Sequence, residues 1–248
     1  MRRHLIIIVV CLLASVSSAP AADVPTPFGV VGSGGGSIPQ PEFAVLWDQP
    51  LSAVNQNAYA NQEFTDFPTY SCFVADDFIV PIEGWSVEAL FIPNEGFNGG
   101  DTFLDADMLH FQVWADAGGV PAGYPGIDTP VWSLDVLPSD SQITLSVSSG
   151  GANMLNLLLT LTTPFNLPSG TYWLVFYGTG EFASDGQWGR QGADTTNGYT
   201  TQWANPGGGF GYGTTWQGWG VLGATLQDSA FRIEGTVLPV ELQSFTAE

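Results

Sequence analysis

The sequence predicts an all-β chain, an antiparallel two-sheet sandwich of jelly-roll-like form. Apolar and polar residues alternate with period two in run after run, turn residues separate those runs at short intervals, and helical periodicity is nearly absent. Each run is too short for a helix of ordinary length and carries the β-branched and aromatic residues that suit a pleated, half-buried surface. About ten such strands argue for two packed sheets.

The chain opens with Arg2, Arg3 and His4, then an apolar run over residues 5–13, then Ala19-Pro20-Ala21. A basic start, a short apolar stretch and a small-x-small site are the parts of an export signal, so residues 1–21 are expected to be cleaved after Ala21. The apolar run is too short to cross a hydrocarbon layer of about 30 Å as a helix. Residues 22–41, with Val24-Pro25-Thr26-Pro27 and Gly32-Ser33-Gly34-Gly35-Gly36-Ser37, have the composition of a flexible linker. The sandwich is expected over residues 42–237, and residues 238–248 read as a junction or tail.

Within the domain the alternating runs are Trp85-Ser86-Val87-Glu88-Ala89-Leu90-Phe91, then residues 109–114, 143–147 and 231–237. Residues 154–165, with Leu157, Leu158, Leu159 and Leu161, are apolar enough for a central strand, and so are residues 171–177. Turn chemistry falls at Pro93-Asn94, Asn98-Gly99-Gly100, Gly118-Gly119, Pro138-Ser139-Asp140, Gly150-Gly151 and Pro168-Ser169-Gly170. The best helical stretch is short, residues 51–59.

Several of these pieces carry a resemblance. Ala75-Asp76-Asp77-Phe78-Ile79-Val80-Pro81, the Trp85 strand, residues 113–121, residues 167–173 and Gln202-Trp203-Ala204-Asn205-Pro206-Gly207 together resemble secreted bacterial β-sandwich modules of the choice-of-anchor type. That resemblance implies an extracellular domain joined to an attachment signal, and it brings no catalytic residues. Residues 238–247, beginning Leu238-Pro239-Val240-Glu241-Leu242, resemble the junction that precedes the C-terminal module of type IX secretion cargo.

The formal net charge is −20, and the chain has four arginines and no lysine. Two of the four lie in the leader, leaving Arg190 and Arg232 against every carboxylate of the domain. Nucleic acid and anionic membrane are excluded as partners, because phosphate would be repelled. Charged residues are only 11% of the chain, so the surface must be built from neutral polar groups, glycine and aromatics. Such a surface suits an extracellular polysaccharide, a surface protein, or self-assembly. Cys72 is the one cysteine after the leader, which rules out an intramolecular disulfide.

The densest feature is the stretch from Trp188 to Gly220, with seven aromatic rings and ten glycines. Trp188, Tyr199, Trp203, Tyr212, Trp216 and Trp219, with Asn205, are expected to form a ligand-binding platform. Rings stack on sugar C–H faces, and Gln187, Gln191, Asn205 and Gln217 supply hydrogen bonds. The competing expectation is that Trp188, Trp203 and Trp216 plug a long loop onto the sandwich edge.

Other chemistry is sparser. Asp101, Asp105 and Asp107 could present oxygens to Ca²⁺, although not with EF-hand spacing. Asp76 and Asp77 are adjacent on a strand, so at least one must turn inward and find donors, an arginine or a metal. Arg232 and Glu234 share a face and read as a surface pair. His110 stands alone and shares a face with Met108, Gln112 and Trp114, which removes multi-histidine zinc sites; no Gly-x-Ser-x-Gly elbow occurs. Glu88, Glu181 and Glu234 lack the paired arrangement of a glycosidase. Recognition of carbohydrate or a surface partner is therefore the leading expectation, followed by a self-assembling surface-layer or appendage subunit, then an extracellular glycan hydrolase.

Overall fold

A computed structural model of the chain describes residues 24–30, 39–53, 57–100, 103–147 and 154–239. The strands in chain order are β1 (Phe28–Val30), β2 (Ala44–Gln49), β3 (Asn57–Ala60), β4 (Gln62–Phe64), β5 (Phe73–Val80), β6 (Trp85–Phe97), β7 (Met108–Ala115), β8 (Trp132–Val136), β9 (Ile143–Val147), β10 (Met154–Leu167), β11 (Gly170–Gly180), β12 (Gln187–Gln191), β13 (Gln202–Ala204), β14 (Gln217–Gly218) and β15 (Phe231–Val237). They form the two-sheet sandwich that the alternation predicts. An eight-stranded sheet runs β1-β3-β12-β6-β10-β9, with β15 bridging β6 to β2, and a seven-stranded sheet runs β14-β13-β5-β11-β7-β8, with β4 beside β11. All pairs are antiparallel except β4 with β11.

The main core lies between the sheets. Val87, Leu90, Ile92, Leu157, Leu159 and Ile233 face Phe78, Phe111, Val113, Leu174 and Phe176 across it. The apolar stretches expected as central strands are β10, next to the sheet edge, and β11, in the middle of its sheet.

Four local expectations are corrected. The alternation of Trp85, Val87, Ala89 and Phe91 does not keep one face, because the pairing of β15 with β6 shifts between Glu234 and Gly235. This bulge adds a residue to β6, so Leu90 and Ile92 enter the main core while Ala89 and Phe91 turn outward with Leu158 and Phe43. Gly235 is required there, since a Cβ would lie 2.1 Å from the Ser86 carbonyl oxygen. Pro93-Asn94 is not a turn but lies within β6, where Pro93 stands opposite Asn156 of β10. The short helical stretch is not helical where described, because residues 57–59 belong to β3. Within the expected linker, residues 28–30 form β1 and pair with β3. The Gly-rich residues 32–37, the Gly150-Gly151 turn and the tail beyond residue 239 lie outside the described residues.

Both sheets are covered on their outer faces as well. On the eight-stranded sheet, Arg232 and Glu234 pair at 2.7 Å with side chains 7% and 1% exposed, so the expected surface pair is a buried one. Glu234 Oε2 accepts the N–H groups of Glu42 and Phe43 at 2.9 and 3.1 Å, and Arg232 donates to the Pro39 carbonyl at 3.0 Å. The guanidinium also lies 4.9 Å from the Phe91 ring centroid. This pair straps residues 39–43 across the sheet, and the strap keeps water from both charges.

Removing one partner of such a pair strands the other in low dielectric. Arg232→Ala is expected to lower unfolding stability by about 3 kcal/mol in urea titrations. Adding Glu234→Gln to that variant should restore part of the loss, because the stranded charge is then gone.

Candidate functional site

The Gly/aromatic segment is a folded excursion from the eight-stranded sheet. The chain leaves at Gly192 and returns at Ser229, and the two limbs pair as a neck: Ala193 N–H donates to the Asp228 carbonyl and Ala230 N–H to the Gln191 carbonyl, both at 2.8 Å. Between them β13 extends the second sheet by pairing with β5, and β14 pairs with β13.

Most of the expected platform is interior. Trp188, Trp203 and Trp219 are each 0% exposed, and Asn205 is equally buried. Trp188 sits in the main core with its ring 5.2 Å from Phe103. Trp203 Nε1 donates to the Ala60 carbonyl at 3.0 Å, and Trp219 Nε1 to the Leu226 carbonyl at 2.8 Å. Asn205 donates to the carbonyls of Thr69 and Ser71 and accepts from Phe210 N–H. These four residues are therefore corrected from ligand contacts to packing. A long excursion must build its own core, and a buried indole N–H must find an acceptor, which backbone carbonyls supply. The amides expected to serve a ligand are also engaged: Gln187 with Thr26, Gln191 with Glu95, and Gln217 with the Tyr212 carbonyl.

What stays accessible is Tyr199, Tyr212 and the rim of Trp216. The tyrosines are 47% and 39% exposed. Trp216 is 8% exposed, anchored through Nε1 to the Gly123 carbonyl at 2.8 Å, and lies parallel to Tyr124 at 5.6 Å. Beside this ring pair an open groove of 280 Å³ runs between the 117–128 loop and Thr215, lined by Val120, Pro121, Tyr124, Asp128 and Trp216. Asp116 shapes the start of that loop by accepting from Gly118 and Gly119 N–H and from Trp173 Nε1. Tyr199 in turn lies parallel to Trp173 at 6.0 Å. Beneath the loop, Trp114, Trp173, Phe73 and Tyr177 form a second aromatic layer on the outer face of the seven-stranded sheet. Sequence alone did not single out Tyr124 or Asp128, since they lie about 90 residues from Trp216 and share no run with it.

The neck of the excursion is closed by carboxylates. Asp76 and Asp77 do face opposite sides of β5, and both are 0% exposed. Asp76 Oδ2 accepts from Gln49 Nε2 at 3.0 Å, Thr201 Oγ1 at 2.8 Å, Ser229 N–H at 2.5 Å and Ser229 Oγ at 3.0 Å. Its Oδ1 accepts Asp77 N–H at 2.9 Å. Arg190, fully buried, donates to Ser229 Oγ and the Ala230 carbonyl, both at 3.0 Å. Burial, with Asp228 nearby, pushes the Asp76 carboxyl up to about 8 against the pull of those donors. Burial likewise raises Asp77 to about 6 and lowers Arg190 to about 10. On the outer face of the other sheet, Glu95 is 0% exposed with Gln191 Nε2 at 2.6 Å, and burial pushes it up to about 8.

The remaining candidates are dispersed. Asp105 and Asp107 are exposed, and Asp101 lies outside the described residues. Among the described residues no three His, Cys, Asp or Glu side chains gather as a metal-binding group. His110 Nδ1 lies 2.8 Å from Asp135 and its Nε2 2.9 Å from Thr179 Oγ1, which donates to Glu63 at 2.8 Å. That chain crosses four strands, so no sequence spacing reveals it. Glu234 is held in the Arg232 strap and Glu88 accepts from Thr236. Comparison of the chain with protein-family models, characterised proteins and solved structures finds no match.

Asp76→Ala leaves several buried donors unpaired, each costing about 1–3 kcal/mol, and is expected to abolish cooperative unfolding or lower its midpoint steeply in denaturant titrations. Glu95 gives a pH signature. Its folded pKa of about 8 stands above the unfolded value, so its favourable contribution is complete below the ordinary carboxylate range and is lost as pH rises through about 8. Glu95→Gln is expected to flatten the decline in urea midpoint between about pH 5 and about pH 9 and to make the variant the more stable protein at the alkaline end.

Proposed function

We propose that this protein is an exported, non-enzymatic β-sandwich module that recognises a neutral polysaccharide at the cell surface. The observation that carries the reading is the open groove walled by the parallel Tyr124 and Trp216 rings. Aromatic rings stack on the C–H faces of sugars, and Asp128 and Thr215 at the same groove offer acceptors and a donor to hydroxyl groups. Tyr199 and Tyr212 add exposed ring surface from the same excursion. The surface lacks the bases that would attract phosphate or anionic lipid, with a net charge of −20 and no lysine. An export leader and a resemblance to choice-of-anchor modules fit a domain that works outside the cell. A shallow, open groove admits the middle of a long chain, as a polysaccharide demands, where an enclosed pocket admits only an end.

The test is retardation in affinity gels cast with neutral polysaccharides. The wild-type domain is expected to be retarded by at least one of them, Tyr124→Phe to keep that retardation, and Tyr124→Ala to reduce affinity at least about tenfold without a comparable change in melting temperature. Tyr212→Ala is expected to weaken binding less. Retardation that survives Tyr124→Ala unchanged would refute the groove as the site, and a wild-type domain that ignores every neutral glycan would refute the ligand class.

A further inference from the structure

A second feature of the excursion points to a ligand of a different kind. The loop over residues 193–201 closes around Asp228: Ala193 N–H donates to the Asp228 carbonyl and Thr201 N–H to the Gln227 carbonyl, both at 2.8 Å. From the middle of the loop, Asn197 N–H donates to Asp228 Oδ2 at 2.5 Å, and Tyr199 N–H to Asp77 Oδ1 at 2.8 Å. Two carboxylates thus lie under the same short arch, each spending one oxygen on it. Gly198, at the crown, has φ +80°, and a Cβ there would stand 2.2 Å from Asp77 Oδ2. That oxygen therefore sits directly beneath the arch.

The other oxygens have no hydrogen-bond partner among the described residues. Asp77 Oδ2, Asp228 Oδ1 and, from the arch itself, Thr195 Oγ1 are all buried without a hydrogen bond. Asp77 and Asp228 are each 0% exposed. Asp76, by contrast, has donors on both oxygens. Among the described residues Arg190 makes no hydrogen bond to the arch: its Nη2 donates to Ser229 and Ala230, and its Nε and Nη1 are buried without reaching either free oxygen. Two carboxylates held out of water with unsatisfied oxygens stay ionised more readily beside a positive counterpart.

We propose that Asp77, Asp228 and Thr195 form a divalent-cation site of the calcium type beneath the 195–199 arch. The donors are all oxygen, with two carboxylates and a hydroxyl on an irregular loop, which suits a hard cation tolerant of uneven geometry. Two acidic ligands, with carbonyls or water completing the shell, match the weaker sites of extracellular modules, with dissociation constants of about 10⁻⁴–10⁻³ M. The cation locks the arch that carries Tyr199, and so fixes one exposed ring of the excursion. The site is separate from the Asp105 and Asp107 loop and independent of the polysaccharide reading.

The experiment is a titration of the metal-free mature domain with Tb³⁺, followed by emission sensitised through Tyr199 and Trp173, with Ca²⁺ as competitor and melting temperature as a second readout. Wild type is expected to show sensitised emission that Ca²⁺ displaces, and a melting temperature that rises with Ca²⁺. Asp77→Asn and Asp228→Asn are each expected to lose both effects while remaining folded in chelator, since an amide relieves the buried charge. Thr195→Val should weaken Ca²⁺ several-fold, and a variant with Asp105→Asn and Asp107→Asn should respond as wild type does. The proposal is overturned if Ca²⁺ up to about 10 mM leaves wild type unchanged, if the response persists in Asp77→Asn and Asp228→Asn, or if it vanishes only with the Asp105 and Asp107 changes.

Discussion

One buried carboxylate holds the two sheets and the excursion in register. Asp76 stands on β5 and accepts from Gln49 at the end of β2, from Thr201 before β13 and from Ser229 before β15, while Ser229 also receives Arg190 from β12. Four segments therefore meet at one side chain, and β12 joins them through Ser229. Hydrogen bonds in such a place gain strength from the low dielectric, and each becomes costly to leave unmade. The excursion can leave one sheet, add strands to the other and return only because its neck is bonded at that point.

The aromatic residues follow from this constraint. A segment that departs and returns through a fixed neck encloses its own small core, and Trp203 and Trp219 fill it with Tyr59, Phe64 and Leu222. The Trp203 indole N–H ties the excursion to the Ala60 carbonyl of β3, and that of Trp219 closes a bond within it to the Leu226 carbonyl. The glycines allow the backbone to pass close to other chain, as Gly198 does over Asp77. The ring pair of Tyr124 and Trp216 lies where the excursion meets the 117–128 loop. The scarcity of bases has a structural side too: of the two arginines in the domain, Arg232 is buried in a pair with Glu234, and Arg190 is buried on Ser229 and the Ala230 carbonyl with Asp76 nearby.

Much of the fold was legible because strand periodicity is a local property. β7, β9 and β15 fall where alternation and turn residues put them, β10 and β11 where the apolar runs do, and the inward turn of one aspartate at Asp76-Asp77 follows from adjacency alone. The bulge opposite Gly235 was not legible, since it depends on how two strands 150 residues apart share a register. Pro93-Asn94 misled for a related reason: the pair has turn chemistry, yet β10 and β12 flank it and hold it extended. The candidate groove borders the excursion that the sequence singled out and includes Trp216 from it, but Tyr124, Asp128 and Asp228 carry no sequence signal of their own.

By itself the sequence determined an all-β domain, the positions of most strands, the acidic character with almost no bases, and the chemical classes of partner that charge repels. Only the tertiary structure decided which faces are wet. Alternation distinguishes the two faces of a strand but says nothing of what covers the outer one, because covering is a long-range event. Residues 39–43 bury Arg232 and Glu234, the 117–128 loop with Trp216 buries Trp114 and Trp173, and the 193–201 loop buries Asp77 and Asp228. Each turns a surface residue of the local pattern into an interior one. That is why the tryptophans that drew attention in the sequence became packing, and a tyrosine from another loop became half of the groove.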